Sequence, residues 1–471
     1  MIYIDLYSKK PKYEQIYEQI KAEIDSGVRR VGDVLEGSRT LARTLQVSRN
    51  TVDAAYGQLV AEGYITNCRG IGFIVEAIPQ SLGNQKKHRM YQEKKTIQSE
   101  EKSTVYDLTN GNHTRDLFPV KLWKRCMWEC LLRAEADEYF ATMCEGQGIL
   151  ALRSCLKEYL AKIRGLSCEE EQIVITCGLQ QSLDLVCKIL PSERRSVYVE
   201  EPGYNKAVAV LKNNDRNVNT IRVDKKGLVT GELELNSDVC AIYTTPSNQF
   251  PTGSILPIGR RYELLEWARK NDSYIIEDDY DSELRYYAKP IPSLQSIDEE
   301  ERVIYMGTFS KALSPALRMA YVVLPKPMLK KYRERFADYN CTVSVINQYV
   351  VAELFKTGQY ERHVRRMGQI YRKRLEEFKR CFSDWGNKIK IHENGSGQYF
   401  LMEFSGRYTQ ERLIELAGEQ GVKVYPVMQF WHDRAECPDN MIFVGFSKIA
   451  IKDIEDCVKR LKYAWRTILE E

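Results

Sequence analysis

Histidine is scarce, and the C-x-x-C pairs of metal sites are lacking. The 471-residue chain holds five histidines, none placed beside a cysteine at zinc-ligand spacing, so no metal site is expected. Its thirteen cysteines are odd in number and scattered from Cys68 to Cys457. No C-x-x-C pair occurs, and the closest two are Cys126 and Cys130. This argues against a zinc module or a disulfide scaffold and reads as reduced thiols in a cytoplasmic protein. No run of about 18 apolar residues is found, so no transmembrane helix is expected. The polar stretch Met1 to Lys10 does not read as a signal peptide, so none is expected. A net charge of +4 is small for this length, so bulk charge does not announce a nucleic-acid ligand. No internal repeat is visible.

What is present falls into three blocks. Hydrophobic residues make up 43% and charged residues 28%, an ordinary globular balance. The first block spans residues 1–78. Residues 79–104, PQSLGNQKKHRMYQEKKTIQSEEKST, are polar and nearly free of large apolar side chains. Such a stretch cannot offset the entropy of ordering it, and it is read as a linker. From residue 105 to 471, short apolar runs alternate with amphipathic patterns: IVIT at 173–176, SVYVE at 196–200, CAIYTT at 240–245, YIIED at 274–278 and VIYMGT at 303–308. Helical spacing separates them, as over Gly148 to Arg164. This predicts an α/β fold with a mainly parallel sheet.

In the first block, Ile16, Ile20 and Ile24 form one stripe on a helix over Lys12 to Ser26. Ser38 is positioned to cap a second helix that turns Leu41, Ala42 and Leu45 inward. After a tight turn at Gln46 and Val47, Ser48 can cap a third helix running to Glu62. Tyr64 to Val75 then alternates around Arg69-Gly70-Ile71-Gly72, a hairpin. Three helices and a hairpin make a winged helix-turn-helix. The block carries ten Lys/Arg and ten Asp/Glu. Distribution matters more: from Gly37 to Val52 there are three arginines, Arg39, Arg43 and Arg49, and no acid. Arg49, Asn50 and Thr51 lie at the tip of the third helix with groups that reach base edges, while Arg39 is better placed for phosphate. Arg69 and Gly70 at the wing tip are candidates for a minor groove. The competing reading is a winged helix used only for protein contacts, with these arginines as a solvated face.

The third block carries four pieces of one chemistry. Met306-Gly307-Thr308-Phe309-Ser310-Lys311, with Arg318 seven residues on, sets a lysine just past a strand end, where it can form a Schiff base with an aldehyde. Thr308, Ser310 and Arg318 suit a phosphate. Ile275 to Tyr280 ends a strand in acids, of which Asp278 is the candidate to keep a pyridine nitrogen protonated. Tyr280 can hydrogen-bond a phenolic oxygen. Thr176-Cys177-Gly178-Leu179-Gln180-Gln181 opens a helix whose backbone N–H groups can cradle a phosphate. Glu201-Pro202-Gly203-Tyr204 adds an aromatic able to stack on a ring. Each piece alone could be a structural turn; their order along one chain is what carries weight.

The stretch from PKYEQIYEQIKAEIDSG to CRGIGFIV resembles the DNA-binding domain of the GntR family, through its SRNTV-x3-Y-x2-L-x2-EG core. EPGY, TPSNQFPTG, IIEDDYDSELRY and GTFSKALSPALRMAYV resemble fold type I aminotransferases, and the MocR/GabR branch of GntR regulators in particular. The resemblance implies a pyridoxal 5'-phosphate-dependent transcription regulator. It implies an aldimine on Lys311, with the pyridine nitrogen at Asp278, the phenolic oxygen at Tyr280 and ring stacking at Tyr204. It also implies phosphate contacts from Gly178, Leu179, Gln180, Ser310 and Arg318, with Asn248 of TPSNQFPTG nearby. A double-stranded operator, a small amine or amino-acid effector and a head-to-tail homodimer are implied too. The alternative is a working aminotransferase that merely carries a DNA-binding module. Aminotransferases usually place a carboxylate-binding arginine near the run Met441 to Ser447, and none stands there. The arginines that hold effector carboxylate in GABA-sensing relatives correspond to Lys206 and Gln429, so GABA is not the expected effector. Met143 stands near where relatives carry a tyrosine that reaches the partner's phosphate.

Overall fold

The computed structural model describes residues 2–5, 8, 10–77, 104–110, 117–134, 145–281, 283–287, 291–406 and 408–470. They divide into two units, Met1–Ser99 and Glu100–Glu471. Apart from Thr104, the stretch read as a linker lies outside the described residues, as does Met143.

The first unit is built from α1 (Lys12–Asp25), α2 (Ser38–Thr44), α3 (Arg49–Ala61) and the strands β1 (Ile65–Cys68) and β2 (Gly72–Val75). Ile16, Ile20, Leu41, Val52, Tyr56, Leu59 and Ile65 close its core. At helical spacing they point one way, and burying each large aliphatic stabilises by about 1.5–3 kcal/mol. Tyr56 packs edge-on to Phe73 at 4.8 Å and donates to the Glu36 carbonyl at 2.8 Å, which joins α3 to the wing. The two strands pair antiparallel from Ile65↔Val75 to Cys68↔Gly72, and Gly70 and Gly72 take φ of +87° and +114° to turn the tip. Ser48 caps α3 by accepting from the Thr51 N–H at 3.2 Å. Ser38 does not cap α2. The chain enters that helix one residue earlier, at extended Gly37, so Ser38 is already helical and no side chain caps the end.

The second unit opens with β3 (Tyr106–Asp107), α4 (Val120–Ala134) and α5 (Leu150–Arg164). There follow β4 (Ile173–Thr176), α6 (Leu179–Ile189), β5 (Ser196–Glu201), α7 (Asn205–Asn213), β6 (Asn217–Asp224), β7 (Gly227–Leu228) and β8 (Val239–Thr244). Next come α8 (Ile258–Lys270), β9 (Tyr274–Asp279), β10 (Val303–Thr308) and β11 (Ala320–Val323). Their eight strands run β4-β11-β10-β9-β8-β5-β6-β7. The central run from β10 to β6 is parallel, while β11 is antiparallel to both its neighbours. Strands covered on both faces read as nearly continuous apolar runs, and every position of parallel β5, β8 and β10 is buried, as is every position of β4, which pairs antiparallel with β11.

Helices α9 (Lys326–Phe336), α10 (Val345–Lys356) and α11 (Gln359–Phe382) lead to a smaller layer. It holds β12 (Ile389–His392), β13 (Tyr399–Phe404), α12 (Gln410–Glu419), β14 (Val422–Lys423), β15 (Tyr425–Pro426), β16 (Met441–Gly445) and α13 (Ile451–Glu470). Its sheet runs β12-β13-β16-β15, all antiparallel, and packs on α11 and α13 through Phe378, Phe400, Phe404, Phe446 and Trp465. Short β14 pairs with β3 and ties the start of this unit to its end. The carboxyl ends of β9 and β10 and the amino end of α6 face one cavity, the usual ligand position in an open α/β sheet.

Candidate functional site

The cavity holds about 450 Å³. Of the residues singled out in the sequence, Leu179, Gln180, Tyr204, Lys206, Asp278, Tyr280, Thr308, Ser310, Lys311, Arg318 and Gln429 line it. Gly178 and Asn248 stand directly behind that lining.

Lys311 lies just past β10, and its ammonium donates to Asn110 Oδ1 at 3.2 Å. Burial pushes its pKa down to about 8 against the pull of Asp281 and Asp278, and Lys206 pushes the same way as burial. An amine so depressed is a better nucleophile near neutrality. The acids at the end of β9 separate by strand alternation. Asp279 turns away from the cavity, where it takes Arg164 Nε at 2.7 Å in a buried ion pair. Glu277 likewise turns away and accepts from the Leu294 and Gln295 backbone N–H groups. Asp278 faces the cavity. The Tyr243 hydroxyl donates to its Oδ2, and burial pushes its pKa up to about 7. Its Oδ1 is buried with no hydrogen-bond partner. A buried carboxylate oxygen without a donor is costly, and an N–H placed there would satisfy it.

Gly178 forms the other end of the cradle. It caps α6 at φ +86° and ψ 163°, a conformation nearly restricted to glycine. A methyl group there would lie 2.6 Å from Arg318 Nη2. The first N–H groups of α6 and the Arg318 guanidinium thus converge, as a dianion requires. Arg318 reaches this place because it takes a left-handed φ of +50° after the turn Pro315–Leu317. Tyr204 opens α7 and meets Phe250 edge-on at 5.7 Å. Asn248 is 5% exposed and donates to the Tyr280 hydroxyl at 3.1 Å.

The sequence reading missed Asn110, Tyr243, Asp281 and Tyr399, together with the aromatic wall of Phe250, Phe430 and Phe443. Tyr243 had a signal, being a hydroxyl inside an otherwise apolar central strand. Asn110 had none, since it reaches Lys311 across 201 residues of chain.

An orphaned carboxylate oxygen, a depressed lysine and an anion cradle together fit pyridoxal 5'-phosphate. Lys311 would hold its aldehyde carbon, Asp278 its ring nitrogen, and the start of α6 with Ser310 and Arg318 its phosphate. When bound, the group supplies an electron-accepting ring. Fold and site define an aminotransferase-type domain joined to a winged helix-turn-helix.

The comparisons agree with both halves. The family of bacterial regulatory proteins, gntR, matches residues 12–75, and aminotransferase class I and II matches residues 105–435. The uncharacterized HTH-type transcriptional regulator YdeL of Bacillus subtilis is 35% identical over 97% of both chains. The probable rhizopine catabolism regulatory protein MocR of Rhizobium meliloti is 30% identical over 99% of this chain and 96% of its own. Pyrococcus horikoshii kynurenine aminotransferase in complex with PMP superposes with a TM-score of 0.70 at 26% identity, covering 79% of this chain and 93% of its own. The chain belongs to the MocR/GabR subfamily of GntR-type regulators, whose second domain is of the aminotransferase type.

In the first unit Arg39, Arg43, Ser48, Arg49, Asn50, Arg69 and Gly70 are exposed and Thr51 is half-buried. Arg49 reaches Asp53 one turn on at 3.3 Å, an exposed pair that leaves its guanidinium free to be recruited. Among the described residues no helix is long and apolar enough to cross a membrane.

Proposed function

We propose that the protein is a cytoplasmic transcription regulator whose second domain, loaded with pyridoxal 5'-phosphate on Lys311, binds a small amine or amino-acid effector. Effector binding then shifts the affinity of the first domain for a double-stranded operator. Arg49, Asn50 and Thr51 read bases, Arg39, Arg43 and Ser48 hold phosphates, and Arg69 and Gly70 enter a minor groove. Lys206 and Gln429 receive the effector, and two chains assemble head to tail. Such coupling requires the effector to bind the two conformations unequally.

One observation carries the choice of sensor over enzyme. Among the described residues the cavity has cofactor-binding groups but no arginine fork for a substrate carboxylate. Arg374 approaches the run that would bear one, yet it donates to the Phe446 and Ser447 carbonyls at 3.3 and 2.5 Å and does not line the cavity. Beyond the phosphate cradle and Lys311, the cation that the described residues place at the cavity wall is Lys206, a point charge without fork geometry. The alternative, a working aminotransferase, draws on the aromatic wall, which suits an apolar substrate side chain.

The test is to titrate the loaded full-length protein with a panel of amines and amino acids. Absorbance, affinity for operator DNA and product formation are followed together. A sensor changes spectrum and DNA affinity with at most a single turnover. Sustained turnover with DNA affinity unchanged refutes the proposal and establishes the alternative.

A further inference from the structure

The cavity divides into a charged side and an aromatic side. Among the described residues that line it, Lys206, Asp278, Lys311 and Arg318 carry the charges. The cofactor reading uses three of them and leaves Lys206. That lysine lies in the first turn of α7, close enough to Lys311 for its charge to depress that amine. Gln429 brings no second cation. Its amino group donates to the Pro426 carbonyl at 3.0 Å, which leaves its oxygen, an acceptor, as the free end. A second carboxylate on an effector would find no charge to pair with there.

On the other side, Phe250, Phe430 and Phe443 line the cavity and meet one another with ring centres 4.8, 5.5 and 6.1 Å apart. They come from three places: the loop after β8, the turn Met428–Phe430 and β16. Tyr399 stacks on Phe443 at 4.7 Å, and Leu401 and Val427 belong to the same cluster. The wall is thus braced before a ligand arrives and has little freedom to lose on binding one. A ring set against these rings gains edge-to-face contact beyond its buried area. A carboxylate delivered to the same wall would lose its water and gain no donor, which is costly. The two sides therefore suit opposite ends of one molecule.

We propose that the effector is an aromatic α-amino acid, with its amino group at Lys311, its carboxylate at Lys206 and its ring on the wall of Phe250, Phe430 and Phe443. The α position follows from the layout. A carboxylate on the carbon that bears the amine stays at the Lys206 end. One at the far end of a chain, as in an ω-amino acid or a dicarboxylic amino acid, is carried to the aromatic wall. This inference rests on the sensor reading above and narrows its effector to one chemical class.

The test titrates the full chain, loaded with pyridoxal 5'-phosphate, with L-phenylalanine, L-leucine, L-alanine, L-glutamate, GABA and phenethylamine, and reads each affinity from the visible absorbance. L-Phenylalanine should bind tighter than L-alanine by roughly 10- to 100-fold, through burial of its ring. It should bind tighter than L-leucine by roughly two- to tenfold, through ring contacts. L-Glutamate and GABA should bind no tighter than L-alanine. Phe430→Leu should weaken L-phenylalanine and leave L-alanine in place, whereas a merely structural loss would weaken both and overturn the role of the wall. If that variant does not fold, the wild-type ranking decides. Lys206→Gln should shrink the advantage of L-phenylalanine over phenethylamine by roughly two- to fivefold, since Lys206 is exposed. Any effect of that substitution on Lys311 cancels in the ratio. L-Alanine, L-leucine, L-glutamate or GABA matching L-phenylalanine would overturn the proposal, as would an unchanged ratio in Lys206→Gln, and the sensor reading would stand. A visible band that answers to none of the panel would overturn the proposal too. A wild-type chain with no visible band would overturn the cofactor reading and this inference with it.

Discussion

Gly178→Ala separates what holds the fold from what holds the cofactor. The backbone there has φ +86° and ψ 163°, and forcing a Cβ into that region costs about 1–3 kcal/mol. The added methyl would also stand 2.6 Å from Arg318 Nη2. That atom ends a flexible side chain, so it moves aside at small cost to the apo fold. Backbone strain therefore dominates the loss of stability. The melting temperature of the apo protein should fall by roughly 1 °C per kcal/mol for a unit of this length. The cofactor responds to the other effect. A displaced guanidinium loses a charge-assisted hydrogen bond to phosphate, about 1.5–3 kcal/mol, which is roughly a 10- to 150-fold loss of affinity. Thermal melts of the apo protein, with equilibrium dialysis against pyridoxal 5'-phosphate, measure the two independently. Unchanged melting would refute the backbone argument. Lowered melting with intact affinity would refute the assignment of Arg318 to the phosphate.

Lys311→Ala should abolish the visible band of the loaded protein, and an unchanged absorbance spectrum would sink the assignment. Because burial lowers Lys311 to about 8 from its ordinary 10.5, capture of the cofactor aldehyde by the apo protein should rise with pH and reach half its maximum near 8. The folded state binds fewer protons than the unfolded chain across that window, so apo stability should rise through it as well. Lys206→Gln removes a charge that depresses Lys311 and should move the capture midpoint upward; stopped-flow absorbance across a pH series decides. Arg49→Ala should weaken specific operator binding by about 1–3 kcal/mol at fixed salt. Wild-type affinity in a mobility-shift titration would place the base contacts elsewhere. Ser48→Ala removes the cap on the Thr51 N–H and should cost about 1 kcal/mol in chemical denaturation of the first unit.

How much of this was legible in the chain follows from the range of each signal. IVIT and VIYMGT coincide with β4 and β10 to the residue because strands buried on both faces read as nearly continuous apolar runs. SVYVE and YIIED each extend one residue further, into an acid that strand apolarity cannot predict. Ser38 misled because a serine before an apolar pattern is a generic cap signal, whereas extended Gly37 already satisfies the entry geometry. Asp278 could be singled out among three consecutive acids because alternation leaves one of them on the ligand face. Asp281 could not: its place depends on Asn248, 33 residues earlier in the chain. The antiparallel β11 within a parallel sheet was likewise invisible, since pairing direction leaves no mark on an apolar strand that is buried on both faces.

The question of sensor or enzyme turns on what the site leaves out, and there the structure sharpens the argument from sequence. A missing arginine at Met441 to Ser447 could have been replaced by another arginine from elsewhere in the fold. Among the described residues Arg374 comes near, and it donates to the Phe446 and Ser447 carbonyls of that run. Gly445 packs so closely on the Thr109 carbonyl that a Cβ would approach within 2.3 Å, so this run also braces the segment whose Asn110 holds Lys311. On the proposed reading, the run that bears a carboxylate-binding arginine in aminotransferases serves here as a brace for the lysine. Transamination needs the substrate fixed near its attack geometry, which is worth several kcal/mol of the barrier. Binding an effector needs only a difference in affinity between two conformations of about 1–3 kcal/mol. A single lysine charge at the cavity wall is adequate to the second requirement and poor for the first.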